Sequence, residues 1–151
     1  MGRILKTLYS GELSATASNG AACVCQSSFT AVNCLGLTKQ NGALIFDAKC
    51  DVPANLNTGT DNQIEITSSG HEDANEWGIN SPLSLITLTT AYQTFRIPLK
   101  DAATFGGELN TAAINFTRFY AFTKSGSGNT TLYYANIRVE YQIPTFFIGV
   151  F

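Results

Sequence analysis

Residues Ala91 to Tyr141 read AYQTFRIPLKDAATFGGELNTAAINFTRFYAFTKSGSGNTTLYYANIRVEY. In the first part, Phe95, Ile97 and Leu99 alternate with Arg96 and Pro98. In the last part, Tyr133, Ala135, Ile137, Val139 and Tyr141 alternate with Tyr134, Asn136, Arg138, Glu140 and Gln142. Side chains on a strand leave it on opposite faces at each step, so a period of two predicts strands with one buried face. The first set is expected inward and the second outward. Between these strands the sequence predicts a short helical turn at Asp101–Phe105, the Gly106-Gly107 pair, and an apolar strand over Thr117–Phe122.

The same pattern extends toward the N-terminus. Ala43–Val52 places Leu44, Phe46, Ala48, Cys50 and Val52 on one face and Ile45, Asp47, Lys49 and Asp51 on the other. Asn62–Thr67 alternates with Ile64 and Ile66 inward. Arg3–Tyr9 reads as a first strand, turned at Ser10-Gly11 into a second over Leu13–Ala17. Ser18-Asn19-Gly20 and Gln40-Asn41-Gly42 carry hairpin-turn chemistry. Ala21–Val24, Ser28–Val32 and Leu83–Thr89 are further strands. Pro53–Asp61 and Ser68–Pro82 read as loops. Pro98 has no backbone N–H for a ladder, so its strand belongs at an edge or a bulge. Eight to ten short strands with almost no helix predict an all-β antiparallel sandwich, or jelly roll.

The 151 residues suit one domain, able to bury roughly 70% of its unfolded surface. Charged residues make up only 13%, and the net charge is −2. With no basic cluster, counterion release from a nucleic acid has nothing to drive it, so nucleic acid is excluded as a partner. No apolar run has the length of a secretory leader or of a bilayer-spanning helix. Either a chain made in the cytoplasm or one whose leader has been removed is therefore expected, and for a chain made in a reducing compartment the four cysteines are expected as buried free thiols. One disulfide from Cys23 or Cys25 to Cys34 or Cys50 is the second choice. Cys23 and Cys25 lack the C-x2-C spacing of a zinc site.

ALIFDAKCDV at Ala43–Val52, LTTAYQTFRIPL at Leu88–Leu99 and TTLYYANIRVEY at Thr130–Tyr141 together resemble the β-sandwich carbohydrate-binding modules attached to bacterial polysaccharide-degrading enzymes. The resemblance covers roughly Ala43 to Tyr141. It implies a sandwich that binds a glycan and performs no chemistry. Ala135 stands where that family usually has an Asp that helps hold a structural calcium, and Tyr92 stands where Trp is common. The first 40 residues match nothing in the family.

Glycan recognition needs an aromatic face beside amides and carboxylates. Trp77, the only tryptophan, lies in a polar stretch with Asn75 and Glu76 and is a candidate stacking platform. Tyr134 and Arg138, two apart on the outward set, are candidate ligand contacts. Glu72, Asp73 and Glu76 are the group a calcium ion or a catalytic carboxylate pair would use, but all three lie in one loop and lack the EF-hand pattern. The lone His71 has no nucleophile motif for company. No catalytic residue, metal or cofactor is expected, and the chain reads as a non-enzyme.

The tail adds a different signal. Phe146, Phe147, Ile148 and Phe151 form an uncharged, β-prone run that would aggregate if left in water. It is expected either to pack on its own domain or to anchor in a neighbouring subunit. Two functions follow. The favoured one is a structural subunit of an assembly, such as a tailed-phage decoration, head or fibre protein at a virion or extracellular surface, with other subunits or copies of itself as partners. The alternative is a glycan-binding module of a secreted polysaccharide-degrading enzyme, with polysaccharide as partner.

Overall fold

A computed structural model describes residues 2–144. The apolar tail residues Phe146, Phe147, Ile148 and Phe151 lie outside the described residues. Among the described residues, nine strands form two antiparallel sheets: β1 (Gly2–Ala17), β2 (Ala22–Val32), β3 (Gly42–Cys50), β4 (Asn62–Thr67), β5 (Glu76–Asn80), β6 (Gln93–Pro98), β7 (Ala103–Phe105), β8 (Ile114–Phe122) and β9 (Thr130–Ile143). The four-stranded sheet has the order β1-β9-β3-β6, and the five-stranded sheet has the order β2-β8-β4-β5-β7. The expected all-β sandwich is what the chain forms. Pro98 ends β6, which is an edge strand, where its missing N–H leaves no ladder bond unmade.

The two inner faces meet in one core. Phe46 of β3 packs against Tyr134 of β9 at 5.5 Å and Phe119 of β8 at 6.2 Å between ring centroids, both edge-on. Phe119 and Tyr134 close the triangle at 5.5 Å. Edge-to-face contact sets the positive rim of one ring against the negative face of the next. The Tyr134 hydroxyl is fully buried and shares a 2.9 Å hydrogen bond with Thr117 Oγ1, which in turn donates to the Glu65 carbonyl. That chain satisfies the one polar atom the tyrosine brings inside.

Several elements differ from the sequence reading. Ser10-Gly11 is no turn: β1 runs unbroken past it, and its pairing with β9 slips between Thr7 and Glu12. Ala21–Val24 and Ser28–Val32 merge into β2. Glu76–Asn80, read as loop, is strand β5, and Asp101–Phe105 holds the short strand β7 where a helical turn was expected. Leu83–Thr89 forms no strand. A 3-10 turn over Pro82–Ser84 replaces it, and Leu83 and Leu88 are buried in the core.

The most consequential difference is in β9. Relative to β3, β9 carries an extra residue between Arg138 and Ala135, and Asn136 there has φ = 50°. Asparagine tolerates the left-handed region better than most residues. This bulge reverses the alternation N-terminal to it. Tyr134, expected outward, is therefore in the core, and Tyr133, expected inward, faces out.

Cys23, Cys25, Cys34 and Cys50 are all buried free thiols. Cys25 Sγ donates to the Leu132 carbonyl at 3.3 Å, and Cys50 Sγ lies 3.0 Å from Thr130 Oγ1. Burial pushes the Cys25 thiol up to about 12 and the Cys34 thiol up to about 11. Because the thiolate is the nucleophile, none of the four should react with a disulfide reagent such as DTNB in native buffer at neutral pH. All four should react once urea unfolds the chain. Rapid labelling of the native protein would contradict this burial.

Candidate functional site

The outer face of the four-stranded sheet gathers polar and aromatic side chains in register. Ser14, Tyr133 and Lys49 stand side by side on β1, β9 and β3. Tyr92 precedes β6 at the same level, since Gln93 pairs with Ala48. Along the strands from that row lie Glu12, Asn136, Asp47 and Thr94, followed by Thr7, Arg138, Ile45 and Arg96.

Two local irregularities hollow this face. Between Thr7 and Glu12, β1 carries more residues than the facing stretch of β9, and Asn136 forms the β9 bulge directly opposite. Bulged strands bend and twist away from their partners. Gly11 fits because a Cβ there would meet the Tyr9 ring at 2.9 Å. Two adjoining hollows result, of about 260 and 300 Å³, sharing Ser10, Asp47 and Asn136 as walls. Glu12 and Tyr92 border the first, and Thr7 and Arg138 the second.

The side chains here hold one another in place. Asp47 accepts from Asn136 Nδ2 at 2.7 Å and from Thr94 Oγ1 at 2.7 Å, with Arg138 Nη1 at 3.9 Å. The Tyr92 hydroxyl donates to Glu12 across the hollow. Partial burial, followed by that bond, raises the phenol above its ordinary range, so it stays a donor. The Lys49 ammonium lies 4.4 Å from the Tyr133 ring centroid and 5.0 Å from that of Tyr92. It thus braces the two tyrosines, which pack edge-on 6.3 Å apart. Tyr92 remains 39% exposed. The hollow therefore offers aromatic surface, a fixed carboxylate, an amide and a guanidinium, with no strong excess of either charge. That set suits a neutral ligand rich in hydroxyls. Among these residues no nucleophile is paired with a base.

The candidates read from the sequence are scattered. Arg138 alone lines this hollow. Tyr134 is in the core. Trp77, expected as an open platform, is buried on β5, with its Nε1 donating to Glu108 at 2.7 Å and Lys39 Nζ 5.7 Å above its ring. Its place on the inner face follows from the alternation in Glu76–Asn80, where Glu76, Gly78 and Asn80 take the outer positions. Asn75 sits beside β5 with φ = 47° and donates to the Glu108 carbonyl at 3.1 Å.

Glu76 is buried on the outer face of the five-stranded sheet, the opposite side of the sandwich from the hollow. Glu65, also buried, and the more exposed Asp73 join it, and one oxygen of each lies within 4.8 Å of the others. Arg118 Nη2 reaches Glu65 Oε2 at 3.0 Å and Asp73 Oδ1 at 3.3 Å. Burial raises the Glu65 carboxyl to about 7 against the opposing pull of Arg118, and burial also raises Glu76.

No protein-family profile matches this sequence, and no curated protein does. Solved structures do match the fold. A family 30 carbohydrate-binding module aligns over 92% of this chain and 99% of its own, at 13% identity and a TM-score of 0.54. The family 30 module of a cellulosomal cellulase from Clostridium thermocellum aligns over 90% and 96%, at 12% identity and 0.52. An exo-β-agarase aligns over 95% of this chain and 22% of its own, at 11% identity and 0.52. The chain thus has the β-sandwich fold seen in carbohydrate-binding modules.

Proposed function

We propose that this chain is a non-catalytic glycan-binding module, and that the hollow on the outer face of its four-stranded sheet is where the glycan lies. The observation that carries the reading is Asp47, held by Asn136 and Thr94 at the floor of an open hollow bordered by Tyr92. A pre-set carboxylate accepts sugar hydroxyls without reordering, and an aromatic rim takes the apolar face of a pyranose. The likeness to carbohydrate-binding modules supports the reading, as does a face with little net charge. The polysaccharide would be met outside the cell.

This reverses the order of the two functions expected from the sequence. Nothing in the fold or the comparisons favours a virion subunit, and the tail proposed as its anchor lies outside the described residues. Among the described residues, no helix is long and apolar enough to cross a membrane.

The test is native electrophoresis through gels carrying hydroxyethylcellulose or agarose, chosen from the cellulase and agarase likenesses. The wild-type chain is expected to be retarded by at least one of them. Asp47→Ala should weaken retention about tenfold or more, since hydrogen bonds to a charged group are worth about 1.5–3 kcal/mol. Tyr92→Ala should weaken it as well. Unchanged migration of the wild type in both gels, and in a wider set of plant and algal glycans, would reject the reading.

A further inference from the structure

Glu65, Asp73, Glu76 and Arg118 lie outside the proposed glycan site, and their charges do not close. Three carboxylates face one guanidinium, which leaves two negative charges where Glu65 and Glu76 are each 1% exposed. Buried charges in proteins are paired or coordinate metals. Arg118 takes Oε2 of Glu65, while Oε1 of the same side chain is buried with no hydrogen-bond partner. An orphaned carboxylate oxygen inside a sheet face is costly unless something binds it.

Space has been kept beside these oxygens. Gly78 pairs directly with Glu65 across the ladder. A Cβ at Gly78 would meet Glu76 Oε1 at 2.8 Å and Gln63 Nε2 at 2.5 Å. Gly78 has no positive φ, so room is what its missing side chain supplies. The third carboxylate is brought in by the loop that follows β4. Asp73 has φ = 62°, and its backbone N–H donates to Glu76 Oε2 at 3.1 Å. Gly106 lies beneath it, where a Cβ would come within 2.4 Å of the Asp73 carbonyl oxygen.

From this geometry we infer that Glu65, Asp73 and Glu76 form a binding site for a hard divalent cation, calcium in the first place, which ties the Ser68–Asn75 loop to the outer face of the five-stranded sheet. All donors are oxygens, which selects against zinc and copper. Calcium holds its oxygens at about 2.3–2.6 Å, so its ligand shell is roughly 4.6–5.2 Å across and spans oxygens spaced up to 4.8 Å. Magnesium demands a tighter octahedron at about 2.0–2.1 Å. A divalent ion also cancels the two uncompensated charges.

The probe is terbium, which replaces calcium and emits when a nearby indole is excited. Trp77, the next residue after Glu76 and the only tryptophan, supplies that donor. Full-length protein freed of metal by EDTA is expected to show terbium emission on excitation at the indole band, displaced by calcium at lower concentration than by magnesium. Asp73→Asn should weaken terbium binding at least tenfold. Asparagine accepts the left-handed backbone at that exposed position, so this variant folds even if Glu76→Gln does not. With calcium at about a hundred times its Kd, the melting temperature should rise by roughly 5–10 °C over that in EDTA. Emission that survives both Asp73→Asn and Glu76→Gln would place the ion elsewhere and overturn the assignment. So would tighter competition by magnesium, or no emission together with identical melts in calcium and EDTA.

Discussion

Phe46→Ala is expected to cost about 3–5 kcal/mol of folding stability, the range for removing a fully buried phenylalanine. Domains have roughly 5–15 kcal/mol in total, so this one change removes a large share. It should lower the melting temperature by roughly 6–20 °C for a chain of this size. The cost is high because Phe46 touches rings from both sheets: Phe95 and Tyr134 in its own, and Phe119 in the other. The cavity left by alanine would open between two nine-residue strands already paired on both sides, which have little freedom to collapse into it. Phe105→Ala is the control. That ring is 56% exposed, and its loss should change stability by less than about 0.5 kcal/mol. Equal losses in urea melts of the two variants would mean that the core is not centred where the structure puts it.

The second large effect is expected at Arg118. Arg118→Met in EDTA-containing buffer should cost up to about 3–5 kcal/mol, less at neutral pH and more as the pH rises, because the buried Glu65 carboxyl, already raised to about 7 beside its cation, must then ionise without it. The direction of the double variant is the discriminating measurement. Arg118→Met combined with Glu65→Met removes both charges of the pair and should recover most of that loss, since apolar replacement of a buried ion pair is often neutral. If the double variant is as unstable as the sum of two costly singles, the loss comes from packing and the ion pair is incidental. The surface pairs of Glu140 with Arg3 and Arg96, at 3.6 and 3.5 Å, are each worth about 0–1 kcal/mol and should not show this pattern.

The sandwich was legible where alternation met solvent on one side. In β3, Leu44, Phe46, Ala48 and Cys50 are buried as expected, and so are Ile137, Val139 and Tyr141 in β9. The reading failed where something other than packing sets the pattern. Strand β5 was hidden because its outward Glu76 is covered by a loop, so its polar residues looked like loop sequence. Tyr134 and Tyr133 were exchanged because a bulge shifts parity without altering composition. The signals for that bulge were present: an asparagine in the middle of a strand, and a glycine in Ser10-Gly11 within another. The proposed glycan site was mostly illegible for the same reason. Asp47, Glu12 and Asn136 occupy outward positions that on sequence alone look like any wetted sheet face. Only the pairing of β9 with both β1 and β3 brings them together.

That pairing also sets the order in which the molecule can be made. Among the described residues, the ladder partner of β1 is β9, with Gly2 opposite Ile143, and β9 also separates β1 from β3. During synthesis β1 therefore waits with its hydrogen-bonding edge open until β9 has emerged, while β4, β5, β7 and β8 can pair earlier. The five-stranded sheet needs nothing beyond β8, whereas the four-stranded sheet is incomplete until β9 is made. During that interval a sixteen-residue edge is exposed, so the nascent chain is most prone to aggregate just before β9 joins.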